Sequence, residues 1–301
     1  MLDGWRVADE VADALSGGRP VVALESTLIA HGLPWPDNLE TARASESAVR
    51  AAGAVPATIA VGGGVVRVGL DDATLERMAT SGGFLKAGRR DLSAIAARGL
   101  DAATTVSATL WIARRAGLGV MATGGLGGVH RDAADVSADL DELARADGVL
   151  VVCSGVKTIL DVPATLERLE SLGVPVVGYR TATMPGFTTP ETGLPLEWRA
   201  DDPAGAAAIV ASHRRLGLPG AVVLVQRVAE SIGVPGDLMD RAIAAALAEA
   251  SSRGITGKPL TPLLLDFVRS ATAGKALAAN RALIVANAGL AGEVAGVLGG
   301  G

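Results

Sequence analysis

Only four of the 27 basic residues are lysines, namely Lys86, Lys157, Lys258 and Lys275. Arginine keeps its proton at neutral pH, whereas a desolvated lysine can present a free amine, so a lysine in an apolar setting here points to nucleophilic or Schiff-base chemistry. Lys157 has that setting. It follows the apolar run Val149-Leu150-Val151-Val152 and has no acidic residue within three positions on either side. Read as the start of a helix running from Thr158 to Leu172, it meets the positive end of the helix dipole, which favours the uncharged amine. An anion ligand and a solvated helix-end lysine remain as alternatives.

Glu25 closes the apolar run Val21 to Leu24 and precedes Ser26-Thr27 and His31-Gly32. A carboxyl against an apolar strand holds its proton to higher pH and can serve as a general acid, or it can simply cap a turn with Ser26 and Thr27. In Asp135-Val136-Ser137-Ala138-Asp139, two carboxylates flank a hydroxyl. That spacing suits a hard cation or the N-cap of the helix near Leu140. Lys86, Arg89 and Arg90 cluster cations before a helix start, with His130-Arg131 as a possible addition, in a pattern fit for a phosphate or for a solvated turn. His213-Arg214-Arg215 ends a helix, where cations are favoured in any case.

Two glycine-rich turns fail their nucleotide motifs. Gly125-Leu126-Gly127-Gly128-Val129-His130 has histidine where a dinucleotide fingerprint needs its third glycine, and Val156 stands where a P-loop needs glycine before Lys157.

The elements that must carry these residues are short apolar runs alternating with helical patterns. Strands are expected at Pro20 to Leu24, Ala57 to Val61, Gly119 to Ala122, Gly148 to Cys153, Pro175 to Gly178 and Ala221 to Val225. Their lack of polar alternation implies burial on both faces and hence a parallel sheet. Helices are expected from Asp37 to Gly53, after Asp71, at Val106 to Ala116 and at Leu140 to Ala146. From Pro203 onward helices dominate. The fold class is α/β, a mainly parallel central sheet flanked by helices with a helical C-terminal half, read as one domain over residues 1–301. Ligands of such sheets bind at the carboxyl ends of the strands, so Glu25, Thr123-Gly124-Gly125 and Ser154 to Lys157 should converge. Arg180 to Ala200 lacks periodicity and reads as a functional loop or lid.

Composition narrows the partner. The chain has 301 residues, a formal charge of −5 and 20% charged residues, which removes the basic footprint of a nucleic-acid binder and leaves a small molecule. A single cysteine, Cys153, excludes a disulfide framework and points to the cytoplasm. Asp3, Glu10 and Asp13 occupy the region where a signal peptide would be basic and then apolar, and no uninterrupted apolar run approaches the ~18 residues of a membrane span.

Taken together, the segments resemble the pseudouridine-5′-phosphate glycosidase family. The matching residues are Val22 to Thr27, His31 to Pro34, Gly53 to Ala60, Arg89 to Leu92, Ala103 to Val106, Ala122 to Arg131, Asp135 to Leu140, Cys153 to Leu160 and Gly173 to Pro175. Gly257-Lys258, Thr261-Pro262 and Asn287-Ala288 extend the match towards the C-terminus. The resemblance implies a reversible lyase that breaks the C–C glycosidic bond of pseudouridine 5′-phosphate to give uracil and ribose 5-phosphate, with a divalent metal, usually manganese. It makes Lys157 the Schiff-base nucleophile and Glu25 the proton donor. It assigns substrate contacts to Lys86, Val106, Ser137, Ala138 and Asp139, and more weakly to Thr123, His130 and Asn287. Asp135 becomes the metal ligand, with Asp132 and Asp139 as alternatives in a loop shorter than the family's, and the assembly becomes a homo-oligomer, a trimer by resemblance. A C–C glycoside has no heteroatom leaving group to protonate, so two carboxylates alone do not suffice, and an amine that traps C1′ supplies the electron sink. Two other readings use the same residues: a Schiff-base aldolase or lyase on another sugar phosphate, and a non-catalytic sugar-phosphate-binding regulator.

Overall fold

The computed structural model describes residues 4–131, 135–255 and 260–300. Asp132, Gly257 and Lys258 lie outside them, as do the side chains of Thr261 and Pro262. Among the described residues eleven strands form one sheet. They are β1 (Trp5–Val7), β2 (Val21–Leu24), β3 (Val55–Gly62), β4 (Val65–Val68), β5 (Leu85–Ala87), β6 (Ala102–Thr104), β7 (Val120–Ala122), β8 (Leu150–Cys153), β9 (Val176–Tyr179), β10 (Trp198–Ala200) and β11 (Val222–Gln226). The helices are α1 (Asp9–Ser16), α2 (Asp37–Ala51), α3 (Asp72–Thr80), α4 (Leu92–Ala97), α5 (Val106–Arg115), α6 (Ala138–Leu143), α7 (Val162–Ser171), α8 (Pro203–Arg215), α9 (Gly236–Ser252), α10 (Leu260–Ala271) and α11 (Lys275–Gly299).

The strand order is β1-β4-β3-β2-β7-β8-β11-β9-β10, with β6 beside β3 and β5 beside β6. From β3 to β10 every neighbour is parallel. The antiparallel pairs, β3 with β4 and β3 with β6, lie at one end and were not anticipated. Alternate residues divide the core. Val21, Ala23, Met121, Val151 and Val223 pack with Leu110 and Ile112 of α5 on one face, while Val22, Leu24, Ala122, Val152 and Leu224 pack with Ala288, Ala291 and Val294 of α11 on the other. Both faces are apolar, which is why the strand sequences show no alternation.

α11 has the length and composition to cross a membrane, yet half of that span is buried within the fold. Its small residues let it lie along β2, β7, β8 and α2.

Two expectations need correction. α7 begins at Val162 rather than at Thr158, N-capped by the Asp161 side chain, which accepts the Ala164 N–H, with proline in its first turn. Lys157 therefore stands in a turn before the helix, and the dipole argument for its free amine does not apply. The segment Arg180 to Ala200 is no open lid at its centre. Met184, Phe187, Thr188 and Thr189 are buried, the Phe187 N–H donates to the Ser154 carbonyl at 3.0 Å, and the Thr158 hydroxyl donates to the Gly186 carbonyl at 3.0 Å.

Candidate active site

Strand register brings the chemistry together. Leu24, Ala122 and Val152 stand abreast in β2, β7 and β8, so Glu25, Thr123 and Cys153 follow side by side at the carboxyl end of the sheet. Glu25 is 7% exposed, and the Thr123 hydroxyl donates to its Oε1. Burial pushes the Glu25 carboxyl above its ordinary value, against the opposing pull of Lys157 first and then the Thr123 hydrogen bond; Asp139 adds to the rise and Lys86 opposes it. The carboxyl thus keeps its proton to higher pH than a solvated glutamate does, within the electrostatic reach of both lysines.

Lys157 follows a turn fixed from both sides. Its backbone N–H donates to the Leu126 carbonyl at 3.1 Å, and the Leu126 N–H donates to the Gly155 carbonyl at 2.9 Å. Gly155 has φ +88°, and a Cβ there would stand 2.5 Å from the Pro185 carbonyl oxygen. Only glycine makes this turn and admits the neighbouring loop.

Asp139, 6% exposed, ties two elements together. Its Oδ1 accepts the Ser107 N–H of the first turn of α5 at 3.0 Å, and its Oδ2 accepts the Gly127 N–H at 2.9 Å. Ser137 N-caps α6, its Oγ accepting the Asp139 N–H at 3.3 Å, and donates its own N–H to the Gly128 carbonyl at 3.0 Å. Ala138 opens α6 and is exposed; Val106 opens α5 and is buried. Lys86 sits on β5, and its ammonium pKa is lowered by burial first and then by the charge of Lys157, with Glu25 and Asp139 opposing.

Asn287, fully buried on α11, reaches backbone rather than open space. Its Nδ2 donates to the Thr123 carbonyl at 2.9 Å, and its Oδ1 accepts from Gln226 Nε2 at 2.9 Å and from the Ser154 hydroxyl at 3.2 Å. It fixes the ends of β7, β8 and β11 from behind. Gln226 was not singled out from sequence, because a glutamine at a strand end carries no signal of its own.

The basic cluster separates. Arg89 pairs at 2.9 Å with Glu142, whose side chain is 3% exposed, and Arg90 leans towards Asp91 at 3.5 Å. Lys86 is left as the member that feels the site's carboxylates. Asp135 is exposed; its carbonyl accepts the His130 N–H at 2.9 Å and its carboxylate lies 3.7 Å from His130 Nε2. Among the described residues no group of three His, Cys, Asp or Glu converges on one point. A solvated carboxylate beside an imidazole nevertheless fits a hard cation of the magnesium type, which keeps several waters and takes only one or two carboxylates from protein.

The fold and site define an α/β protein with an acid after β2 and an amine in the turn beyond β8, the two strands that flank β7. The family model described as "Indigoidine synthase A like protein" matches residues 10–297. A pseudouridine-5′-phosphate glycosidase of Streptomyces griseus is 53% identical over 290 residues, covering 95% of this chain and 90% of that one. Another from Caldanaerobacter subterraneus is 49% identical over 292 residues, covering 96% and 95%. The solved prealnumycin C-glycosynthase AlnA, in complex with ribulose 5-phosphate, superposes with TM-score 0.92 at 41% identity over 99% of this chain and 98% of that one. An indigoidine synthase A-like protein of Thermotoga maritima superposes with TM-score 0.89 at 35% identity, again over 99% and 98%. The chain belongs to the pseudouridine-5′-phosphate glycosidase family, within the indigoidine synthase A-like group.

Proposed function

We propose that this protein reversibly cleaves the C–C glycosidic bond of pseudouridine 5′-phosphate to uracil and ribose 5-phosphate through an imine on Lys157. The observation that carries the reading is the pairing of a buried carboxyl, Glu25, with an amine, Lys157, in a chain about half identical to pseudouridine-5′-phosphate glycosidases. The neighbour crystallised with ribulose 5-phosphate supports a sugar phosphate as the ligand of this fold.

In this reading Glu25 gives its proton to the ribose ring oxygen as the C1′–O bond breaks, and Lys157 Nζ bonds to C1′. The surplus proton on that nitrogen returns to the Glu25 carboxylate. Breaking the C1′–C5 bond then leaves its electron pair on uracil C5, which takes the proton from Glu25, while the nitrogen lone pair forms the C=N bond. Water hydrolyses the imine, restores the amine and the carboxyl proton, and the sugar recloses. Lys86 holds the phosphate, and the Val106 turn, Ser137 to Asp139, Thr123, His130 and Asn287 bind or shape the rest.

Manganese belongs to the same reading, with Asp135 as its protein ligand beside His130; bound there, it would supply positive charge for an anionic substrate. Homo-oligomerisation, as a trimer by resemblance, and cytoplasmic residence complete it. The exposed Trp35 and Trp198 support an interface, and the single buried Cys153, its thiol pushed up to about 12 by burial, supports a reducing compartment in which no disulfide is needed. The net charge of −5 supports the absence of a nucleic-acid partner.

The test is release of uracil from pseudouridine 5′-phosphate by the purified protein, measured by chromatography alongside ribose 5-phosphate. Equimolar products are expected. No uracil, with turnover of a different sugar phosphate, would replace this reading with the lyase or aldolase one.

A further inference from the structure

Against Glu25 lies a small cavity between the sheet, α2 and α11, lined by neither lysine. Its polar lining comes from Glu25, Thr123, Ser45 of α2 and Thr58 of β3, and the rest is apolar. It leaves about 10 Å³ for the centre of a water molecule, the room that one water needs. Thr58 stands beside Leu24 in the sheet register, next to the residue that carries the acid. Its hydroxyl donates across 2.5 Å to Oε1 of Glu46, a partly buried carboxyl on α2. Glu46 in turn faces the exposed ion pair of Arg50 with Glu10 at the surface. Acid, cavity, hydroxyl and second carboxyl thus form one line from the site to solvent.

We propose that this line is a proton relay, in which one cavity water and the Thr58 hydroxyl connect Glu25 to Glu46. The relay rests on the catalytic reading above. Uracil leaves with the proton that Glu25 supplied, and water restores it only in the second half of the cycle, while sugar still fills the site. In the interval a proton enters at the Glu46 carboxylate. Glu46 passes one proton to Thr58 Oγ1, the hydroxyl passes its own to the water, and the water passes one to Glu25; when hydrolysis of the imine later delivers its proton to Glu25, one proton returns along the same line to Glu46 and solvent, so the cycle takes up no net proton. Burial raises Glu46 above its ordinary value, against the Thr58 hydrogen bond and the charge of Arg50. Thr58 and Glu46 touch no substrate and act through Glu25.

The experiment measures kcat, KM and the solvent deuterium isotope effect for uracil release by the full-length protein and by Thr58→Val, Thr58→Ser and Glu46→Gln. Thr58→Val and Glu46→Gln should lower kcat about tenfold, less than the 10²–10⁴ attached to a general acid itself, with KM changed less than about twofold. Their isotope effects should rise above the wild-type value, and Thr58→Ser, which keeps the hydroxyl, should restore both quantities. Wild-type turnover with unchanged kcat and isotope effect in Thr58→Val and Glu46→Gln overturns the relay alone. So does a Thr58→Ser protein as impaired as Thr58→Val, because packing would then explain the loss. A wild-type protein that releases no uracil overturns the catalytic reading and the relay with it.

Discussion

Glu25 shows how one residue's environment decides its use. Its carboxyl keeps a proton above the ordinary value of 4.5 because burial outweighs the pull of the lysines and Thr123. Where the acid form is required, kcat/KM should fall as pH rises through that raised pKa, and Glu25→Gln should abolish uracil release. The same shift has a stability sign. Between 4.5 and the raised value the folded protein holds a proton that the unfolded chain has lost, so stability falls as pH rises across that window. Glu25→Gln removes this slope, and its melting temperature should equal or exceed wild type at pH 8; a lower value at pH 8 that recovers at pH 4 would contradict the assignment of a neutral buried acid. Both residues proposed for catalysis stand out in the sequence, Lys157 as an isolated lysine in an arginine-rich chain and Glu25 as a carboxyl closing an apolar strand. The dipole argument for Lys157 was not sound, because Asp161 and Pro163 set the helix start four residues later than the apolar pattern suggested.

At the scale of elements, the site is held by contacts between strand ends and the turns that follow them. Gly127 is the tightest. A Cβ there would lie 2.2 Å from Ser137 Oγ and 2.7 Å from Asp139 Oδ2, so Gly127→Ala forces apart the pair that anchors α5 and the glycine turn. Overpacking of this kind costs about 1–3 kcal/mol, and kcat/KM should drop by more than the melting temperature alone would suggest; an unchanged kcat/KM would show that this turn does not shape the site. Asn287→Asp tests the opposite face, since a carboxylate cannot donate to the Thr123 carbonyl, and each buried group left unsatisfied costs about 1–3 kcal/mol. A thermal melt checks it, with a clear fall expected. The apolar strands β2, β3, β7, β8, β9 and β11 were readable because burial on both faces leaves a continuous apolar run. β1, β5 and β10 were not, since each has a charged residue at its centre (Arg6, Lys86 and Arg199), nor was the weakly apolar Ala102-Ala103-Thr104 of β6, and β4 carries Arg67 with three half-buried positions, so no pattern distinguishes it from a loop. The segment around Phe187 was misread for a related reason: its burial comes from docking on the Gly155 turn, a long-range contact with no local periodicity.

For the whole molecule, the account requires that phosphate binding far from the reacting bond be used to position the ribose. Pseudouridine should then be a far poorer substrate than its 5′-phosphate in kcat as well as KM. Lys86→Ala should erase most of that difference, and equal discrimination in both proteins would place the phosphate elsewhere. Exhaustive chelation should abolish turnover and Mn²⁺ should restore it, with Asp135→Asn weakening the metal; full activity in chelated buffer would assign Asp135 and Ser137 to the turn before α6 alone. Light scattering on the eluting peak of a sizing column tests the trimer.

The covalent intermediate on Lys157 is the claim on which all of this turns, and borohydride reduction tests it most directly. The protein is incubated with ribose 5-phosphate, reduced, digested and weighed by mass spectrometry. The account predicts a single reduced pentose phosphate on the peptide bearing Lys157, none in Lys157→Arg, and a Lys157→Arg protein as inactive as Lys157→Ala, since charge without a free amine forms no imine. Label on another lysine, or no label from a protein that releases uracil, would contradict it.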